Sequence, residues 1–277
     1  MQDKKWRLVE DSDKNNIKKI ENMEFSLGGL FDIKNGIATC RDSVYFIEGD
    51  TLDNNYYYKE YKGILYKIEK DCVRDIIKIS DFKDNNELKN NSRKIIFPYS
   101  TDNNGFNEII KEKEFKMQFP FCYKYLLSAK QELLMRDKGK KKYPEWYAYA
   151  RNQGLNIKGK KLLTPTFSDT PRFMLENDKN TLFCNGYAVI EKKNSDLFVE
   201  NKLSLKALSS ILNSNIMDYY IKNTSVSIEG GYPCYQKNFI ELLGIPKFNN
   251  DEIFFLEKTK DKHEIEKFLE KKYNIKL

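Results

Sequence analysis

The sequence predicts an α+β fold, and two observations carry that expectation. Short runs rich in β-branched and aromatic residues, cut by Asn, Asp and Gly, dominate residues 25–200, whereas apolar residues at helical spacing dominate residues 201–277. The chain has 277 residues, of which 18 are Tyr and 18 Phe, enough bulky apolar surface for a core although 32% of residues are charged.

Taken in order, residues 12–24 read as a short polar helix started by Ser12, within a lead segment 1–24. Residues 26–50 read as strand, tight turn and strand, with Asn35-Gly36 as the turn signal. Further strands are expected at 63–69, 94–100, 160–167, 172–175 and 183–190, and the polar stretch from Asp81 to Ser92 reads as a mobile loop. A helix is expected from Pro120 to about Asp137, because proline suits the first helical position and Phe121, Tyr125, Ala129 and Leu133 recur every fourth residue. Two more are expected, from about Leu203 to Ile221 and from about Asp251 to Lys272. The β-rich region 25–200 and the helical part 201–277 read as one module.

Composition narrows the function classes. A formal net charge of +7 permits a polyanionic partner without requiring one. The five cysteines, at 40, 72, 122, 184 and 234, have no metal-site spacing and read as thiols in a reducing compartment. No apolar run approaches the ~18 residues of a membrane span, and MQDKKWRLVEDSDK lacks a signal-peptide core, so a cytoplasmic location is expected. The single histidine, His263, lies in a charged helical segment, which argues against histidine-based catalysis and His-ligated metal. There is no Gly-rich phosphate loop and no dinucleotide fingerprint. Acidic-x-Lys triplets such as Glu87-Leu88-Lys89 suggest a metal-dependent nuclease only weakly, because Lys and Glu are frequent enough to produce them by chance.

Three segments carry candidate chemistry. In RDKGKKKYPEWYAYARNQG, residues 136–154, the basic residues Arg136, Lys138, Lys140, Lys141, Lys142 and Arg151 flank Trp146, Tyr147 and Tyr149. That mixture suits a nucleic acid, since cations release condensed counterions and rings lie against bases or sugars. Trp146 fits a core anchor equally well. Arg151, with Asn152 and Gln153, offers donors and acceptors for base edges, and the chain has only seven arginines. In SIEGGYPCYQKNFIELLGIP, residues 227–246, Gly230 and Gly231 precede Tyr232, Tyr235 and Lys237, which fits either a close approach to DNA or a plain turn. In KNGIATCRD, residues 34–42, Lys34, Asn35, Thr39 and Arg41 lie on a polar turn that is either a contact loop or an ordinary hairpin.

In order, these blocks resemble the TaqI-like C-terminal specificity domain of adenine-N6 DNA methyltransferases from type II restriction-modification systems. The resemblance is carried by IKNGIATCRDSVYFI, YLLSAKQELLMRDKGK, WYAYARNQGL, KKLLTPTFSDTPRFML, LSSILNSNIMDYYI, EGGYPCYQKNFIELLGIP and IEKFLEKKYNI, and it covers about residues 25–277. It implies a module that grips duplex DNA opposite a methyltransferase catalytic domain or subunit and selects the site of adenine methylation. Arg136, Lys138, Lys140, Lys141, Lys142 and Lys237 are then expected to neutralise phosphates, and Arg151, Gln153 and Tyr235 to contact bases or sugars. The Asn/Asp-Pro-Pro-aromatic motif and the Gly-rich S-adenosylmethionine motif are missing, so no cofactor is expected in this chain, and S-adenosylmethionine is expected in a separate domain or subunit. Rival readings are a protein-interaction subunit, a DNA nuclease and an RNA binder.

Overall fold

A computed structural model describes residues 11–48, 55–192, 202–228 and 230–277. Residues 1–10, most of the stretch expected to lack a signal-peptide core, lie outside the described residues, as do 49–54, 193–201 and 229. In chain order the first elements are α1 (Asp11–Glu21), β1 (Phe25–Ser26), α2 (Leu27–Leu30), β2 (Phe31–Asn35), α3 (Asp42–Tyr45), β3 (Phe46–Ile47), β4 (Tyr56–Tyr61) and β5 (Ile64–Glu69). They are followed by β6 (Val73–Lys78), α4 (Asn85–Leu88), β7 (Lys94–Ile96), β8 (Tyr99–Thr101), β9 (Asn107–Ile109), α5 (Glu112–Gln118), α6 (Pro120–Ser128) and α7 (Lys130–Leu134). The remainder are β10 (Lys161–Pro165), β11 (Met174–Glu176), β12 (Leu182–Cys184), β13 (Gly186–Glu191), α8 (Leu205–Leu212), α9 (Asn215–Thr224), α10 (Lys237–Ile240), β14 (Gly244–Ile245), α11 (Asn250–Lys258) and α12 (Lys262–Tyr273). The fold is α+β.

Two four-stranded sheets organise it, in the orders β11-β10-β13-β2 and β12-β6-β7-β3. The first is antiparallel throughout, and the second pairs β12 parallel to β6. The expected strand 183–190 is therefore two strands in two sheets. Asn185, at φ +60°, makes the step between them, a left-handed conformation that Asn tolerates better than most residues.

Asn35-Gly36 does not form the expected hairpin turn. β2 pairs with β13, its Asn35 opposite Tyr187, and β3 pairs with β7. Gly36 is required instead for close approach, since a Cβ there would lie 2.4 Å from the Phe183 carbonyl oxygen. The segment 81–92 is likewise not a bare loop, because Asp84 caps α4, Leu88 is buried, and the Asn85 amide donates to the Leu175 carbonyl.

Each long helix expected from the sequence is divided. The stretch after Pro120 breaks at Ala129, and α5 precedes it, ended at Phe119 because a residue before proline is driven out of the helical region. α8 and α9 are separated by Asn213 and Ser214, where the Asn213 side chain holds the Phe173 backbone. α11 starts on an Asn249–Glu252 capping box and α12 on Asp261. No helix among the described residues is long and apolar enough to cross a membrane.

Two main cores result. One packs α1, α8, α9, α11 and α12 against the β11-β10-β13-β2 sheet through Ile20, Leu208, Ile211, Met217 and Leu269. Burying each such side chain contributes about 1.5–3 kcal/mol. The other packs α5, α6 and α7 against β6 and β7 around Tyr45, Tyr99, Phe115, Tyr125, Tyr147 and Tyr149. A smaller cluster, including Ile77, Leu163 and Phe183, lies between them.

Candidate nucleic-acid interface

The loop after β2 is stitched to both sheets and to the aromatic segment. Gly36 N–H donates to the Gly186 carbonyl at 3.2 Å and Ile37 N–H to that of Phe183 at 3.0 Å. Ala38 and Arg151 exchange two backbone hydrogen bonds, of 3.0 and 2.9 Å. Such close backbone contact needs glycine on the other side too, and a Cβ on Gly154 would sit 2.7 Å from Gly36 C. The result is a cleft of about 520 Å³ where the sheets meet, lined among others by Asn35, Ser80, Arg151, Thr166, Asn185 and Gln236.

These side chains supply an exposed guanidinium, two asparagine amides, a glutamine amide and hydroxyls, with no carboxylate among the lining residues. Guanidinium and amide groups are the ones that make paired hydrogen bonds to guanine and adenine edges. Arg151 forms no ion pair among the described residues, and its charge lies near the Tyr187 hydroxyl. That hydroxyl is bonded by the Lys237 backbone N–H, which ties the start of α10 to β13 beside the cleft.

The basic segment adjoins this cleft. Asp137, Lys138 and Gly139 take left-handed φ values of 50, 58 and 70°, making a tight turn on which Lys138, Lys140 and Lys142 are exposed. Arg136 does not belong with them. It is 1% exposed, and its guanidinium donates to the carbonyls of Leu133, Thr39, Ala148 and Trp146 at 2.8–2.9 Å. The expectation that it neutralises phosphate is corrected. Arg136 is a positioning residue that ties the loop at 39 to the aromatic segment and to the end of α7. Lys141 is exposed, and its ammonium donates to the Ala150 carbonyl at 2.6 Å.

The aromatic residues are mostly anchors. Tyr149 is 3% exposed and donates to the Ile96 carbonyl, so its expected place against DNA is corrected. Trp146 is half-buried; its indole N–H donates to Glu112 at 2.8 Å, and the Lys130 ammonium lies 4.8 Å over its ring. Of its two readings, these contacts fit the anchor. That donation is the first cause holding the Glu112 carboxyl below its ordinary range.

In the Gly-Gly-Tyr segment, Gly230 and Gly231 have φ of 96 and 80° and form a small turn whose return strand bonds to residues 166–168. Tyr232 is exposed beside the turn, whereas Tyr235 is fully buried. The base-contact role expected of Tyr235 is therefore corrected, and its hydroxyl has no hydrogen-bond partner among the described residues. Lys34, Arg41 and Lys237 are exposed, with acid neighbours at 3.6 Å (Asp32), 3.5 Å (Glu132) and 3.8 Å (Glu241). Gln153 is exposed two residues from Arg151.

The sequence placed Asn35 on a candidate polar turn but did not single out Ser80, Thr166, Asn185 or Gln236. The available signal was Asn-Gly within two apolar β runs, at 35–36 and 185–186, which marks close backbone approach as well as turns.

Comparison with known proteins bears on this geometry. Residues 110–245 match the TaqI-like C-terminal specificity domain. The chain is 25% identical over 206 residues to the type II restriction enzyme and methyltransferase RM.Eco57I of Escherichia coli, a match that covers 69% of this chain and 20% of that protein. It therefore spans about a fifth of that relative's length. The type IIL restriction-modification enzyme MmeI, solved in complex with DNA, resembles it in fold with a TM-score of 0.56 at 11% identity, over 92% of this chain and 34% of that one.

Proposed function

We propose that this chain, which carries a TaqI-like C-terminal specificity domain at residues 110–245, is the duplex-DNA recognition module of an adenine-N6 methyltransferase in a type II restriction-modification system. The observation that carries this reading is the cleft at the meeting of the two sheets, where Arg151 stands exposed among Asn35, Asn185 and Gln236 beside a turn of exposed lysines. The lysines at 138, 140 and 142 neutralise phosphates and set the register, and the cleft side chains read base edges. Methylation belongs to a separate catalytic domain or subunit that binds S-adenosylmethionine. The relative, a restriction enzyme and methyltransferase of which this chain spans one fifth, supports that division.

Selection from a random duplex library at several salt concentrations tests this reading. Enrichment of one short adenine-containing motif, with retention falling as salt rises, is expected. Absence of retention even at low salt overturns it.

A further inference from the structure

The hairpin β4–β5 stands apart from both four-stranded sheets, its strands paired with each other. Its root is held firmly. Ile68 is fully buried, Tyr57, Tyr61 and Tyr66 pack on the tyrosine-rich core, and the Glu69 carboxylate accepts the backbone N–H groups of Phe121 and Cys122 at 2.8 Å. Its tip is free. Lys62 and Gly63 turn the chain at φ of 51 and 75°, and a Cβ on Gly63 would meet nothing within 4 Å. Ile64 and Leu65 are 55% and 61% exposed. Consecutive strand residues point to opposite faces, so both faces of the tip are open with respect to the described residues.

The tip's position gives it a partner. Tyr61, next to the turn, donates to Glu132 Oε2 at 2.9 Å, and the other oxygen of that carboxylate lies 3.5 Å from Arg41 Nε. Arg41 follows Ala38 by three residues, and Ala38 is bonded to Arg151. The hairpin is thus linked through Glu132 to Arg41 on the loop that runs from the cleft, and Lys62 stands at its turn.

We infer that Ile64 and Leu65 form a wedge that enters duplex DNA beside the recognised bases and parts one base step, while Lys62 and Arg41 meet the flanking phosphates. This rests on the DNA-recognition reading above. Aliphatic side chains inserted between bases offset the loss of stacking by their own burial and by the extra surface a kinked duplex brings into contact. A protein-docking core is instead depleted of lysine, which the turn carries.

The test uses the full chain and the library-selected duplex, with 2-aminopurine placed at successive positions. Wild type is expected to raise the fluorescence at one step, marking unstacking. The double variant Ile64→Ser/Leu65→Ser, changed only at exposed positions and checked for an unaltered melting temperature, is expected to abolish that rise. It should also bind about tenfold more weakly while keeping the site preference. Unchanged affinity and fluorescence in the folded variant overturn the wedge, as does a wild type that binds without any rise. A wild type that retains no duplex fails earlier, at the recognition reading itself.

Discussion

The two main cores hold their surroundings in different ways. Around α8 and α9, Leu208, Ile211, Leu212, Ile216 and Met217 are buried among regular elements whose backbone groups are satisfied within the helices. Beneath the basic edge the elements are short and joined by loops, and tyrosine hydroxyls add side-chain bonds to their backbone. Tyr45 donates to the Tyr147 carbonyl, Tyr125 to Val44, Tyr147 to Ile110 and Tyr149 to Ile96, and the Tyr99 hydroxyl accepts the Tyr149 N–H. The rings also meet, Tyr45 edge-on to Tyr149 at 5.2 Å and Tyr147 stacked on Phe115 at 4.9 Å. A surface that presents loops to a ligand needs those loops fixed, and a mesh of tyrosines ties short elements and loops to one another.

The largest effect is expected at alkaline pH and falls mainly on the tyrosine-rich core, although burial also raises the Tyr235 and Tyr273 hydroxyls of the helical core. Burial pushes the hydroxyls of Tyr45, Tyr99, Tyr125, Tyr147 and Tyr149 well above the ordinary value of 10.0. A group whose folded pKa is raised contributes stability that is complete below its unfolded pKa and is lost as pH rises past it. Each tyrosine then removes up to about 1.4 kcal/mol per pH unit above pH 10, so together they are comparable with the whole stability of an ordinary domain. Phenolate absorbance and near-UV circular dichroism should change together, as one cooperative transition above that pH. Gradual phenolate formation with the fold intact would refute the mesh.

Next in size is Arg136→Met. The guanidinium bonds four carbonyls from three segments, and its removal takes the donor from those of Thr39, Trp146 and Ala148 in a buried place. The expected loss is about 3–5 kcal/mol, read by urea unfolding. A loss below about 1 kcal/mol would mean that the loop holds without it.

A paired substitution compares one tyrosine from each core. Tyr149→Phe removes the bond from its buried hydroxyl to the Ile96 carbonyl and should cost about 1–2 kcal/mol. Tyr235 packs with the helical core, its hydroxyl buried without a partner among the described residues, so Tyr235→Phe should be neutral or stabilising by up to about 1 kcal/mol. Equal effects in thermal unfolding would remove the distinction between the cores.

Much of this was legible from the residues. The strands at 64–69, 94–96 and 161–165 and the helical character of the last third follow from local pattern, because each is decided by its own side chains. Position 136 was not legible. Its lysine neighbours are exposed, and what buries it is a set of carbonyls supplied by residues 39, 133, 146 and 148. Asn35-Gly36 misled for a similar reason, since the partner that turns a hairpin signal into a close crossing is Phe183, far along the chain. Local pattern reports propensity, whereas the cleft is made by long-range backbone contacts at Gly36, Gly154 and Gly186.

The smallest effect on stability, and the largest expected on recognition, falls at Arg151. Its side chain is exposed and forms no ion pair among the described residues, so Arg151→Ala should change unfolding free energy by no more than about 0.5 kcal/mol. Its backbone bonds to Ala38 do not depend on the side chain. Losing a bidentate contact to one base costs about 1–3 kcal/mol of discrimination, which is roughly 5- to 150-fold between the selected duplex and one altered at that base pair. Competition binding with single-base variants of the selected site measures it. Weakening that is equal for every duplex would make Arg151 a phosphate contact like Lys138, and base reading would then pass to Asn35, Asn185 and Gln236 across the same cleft.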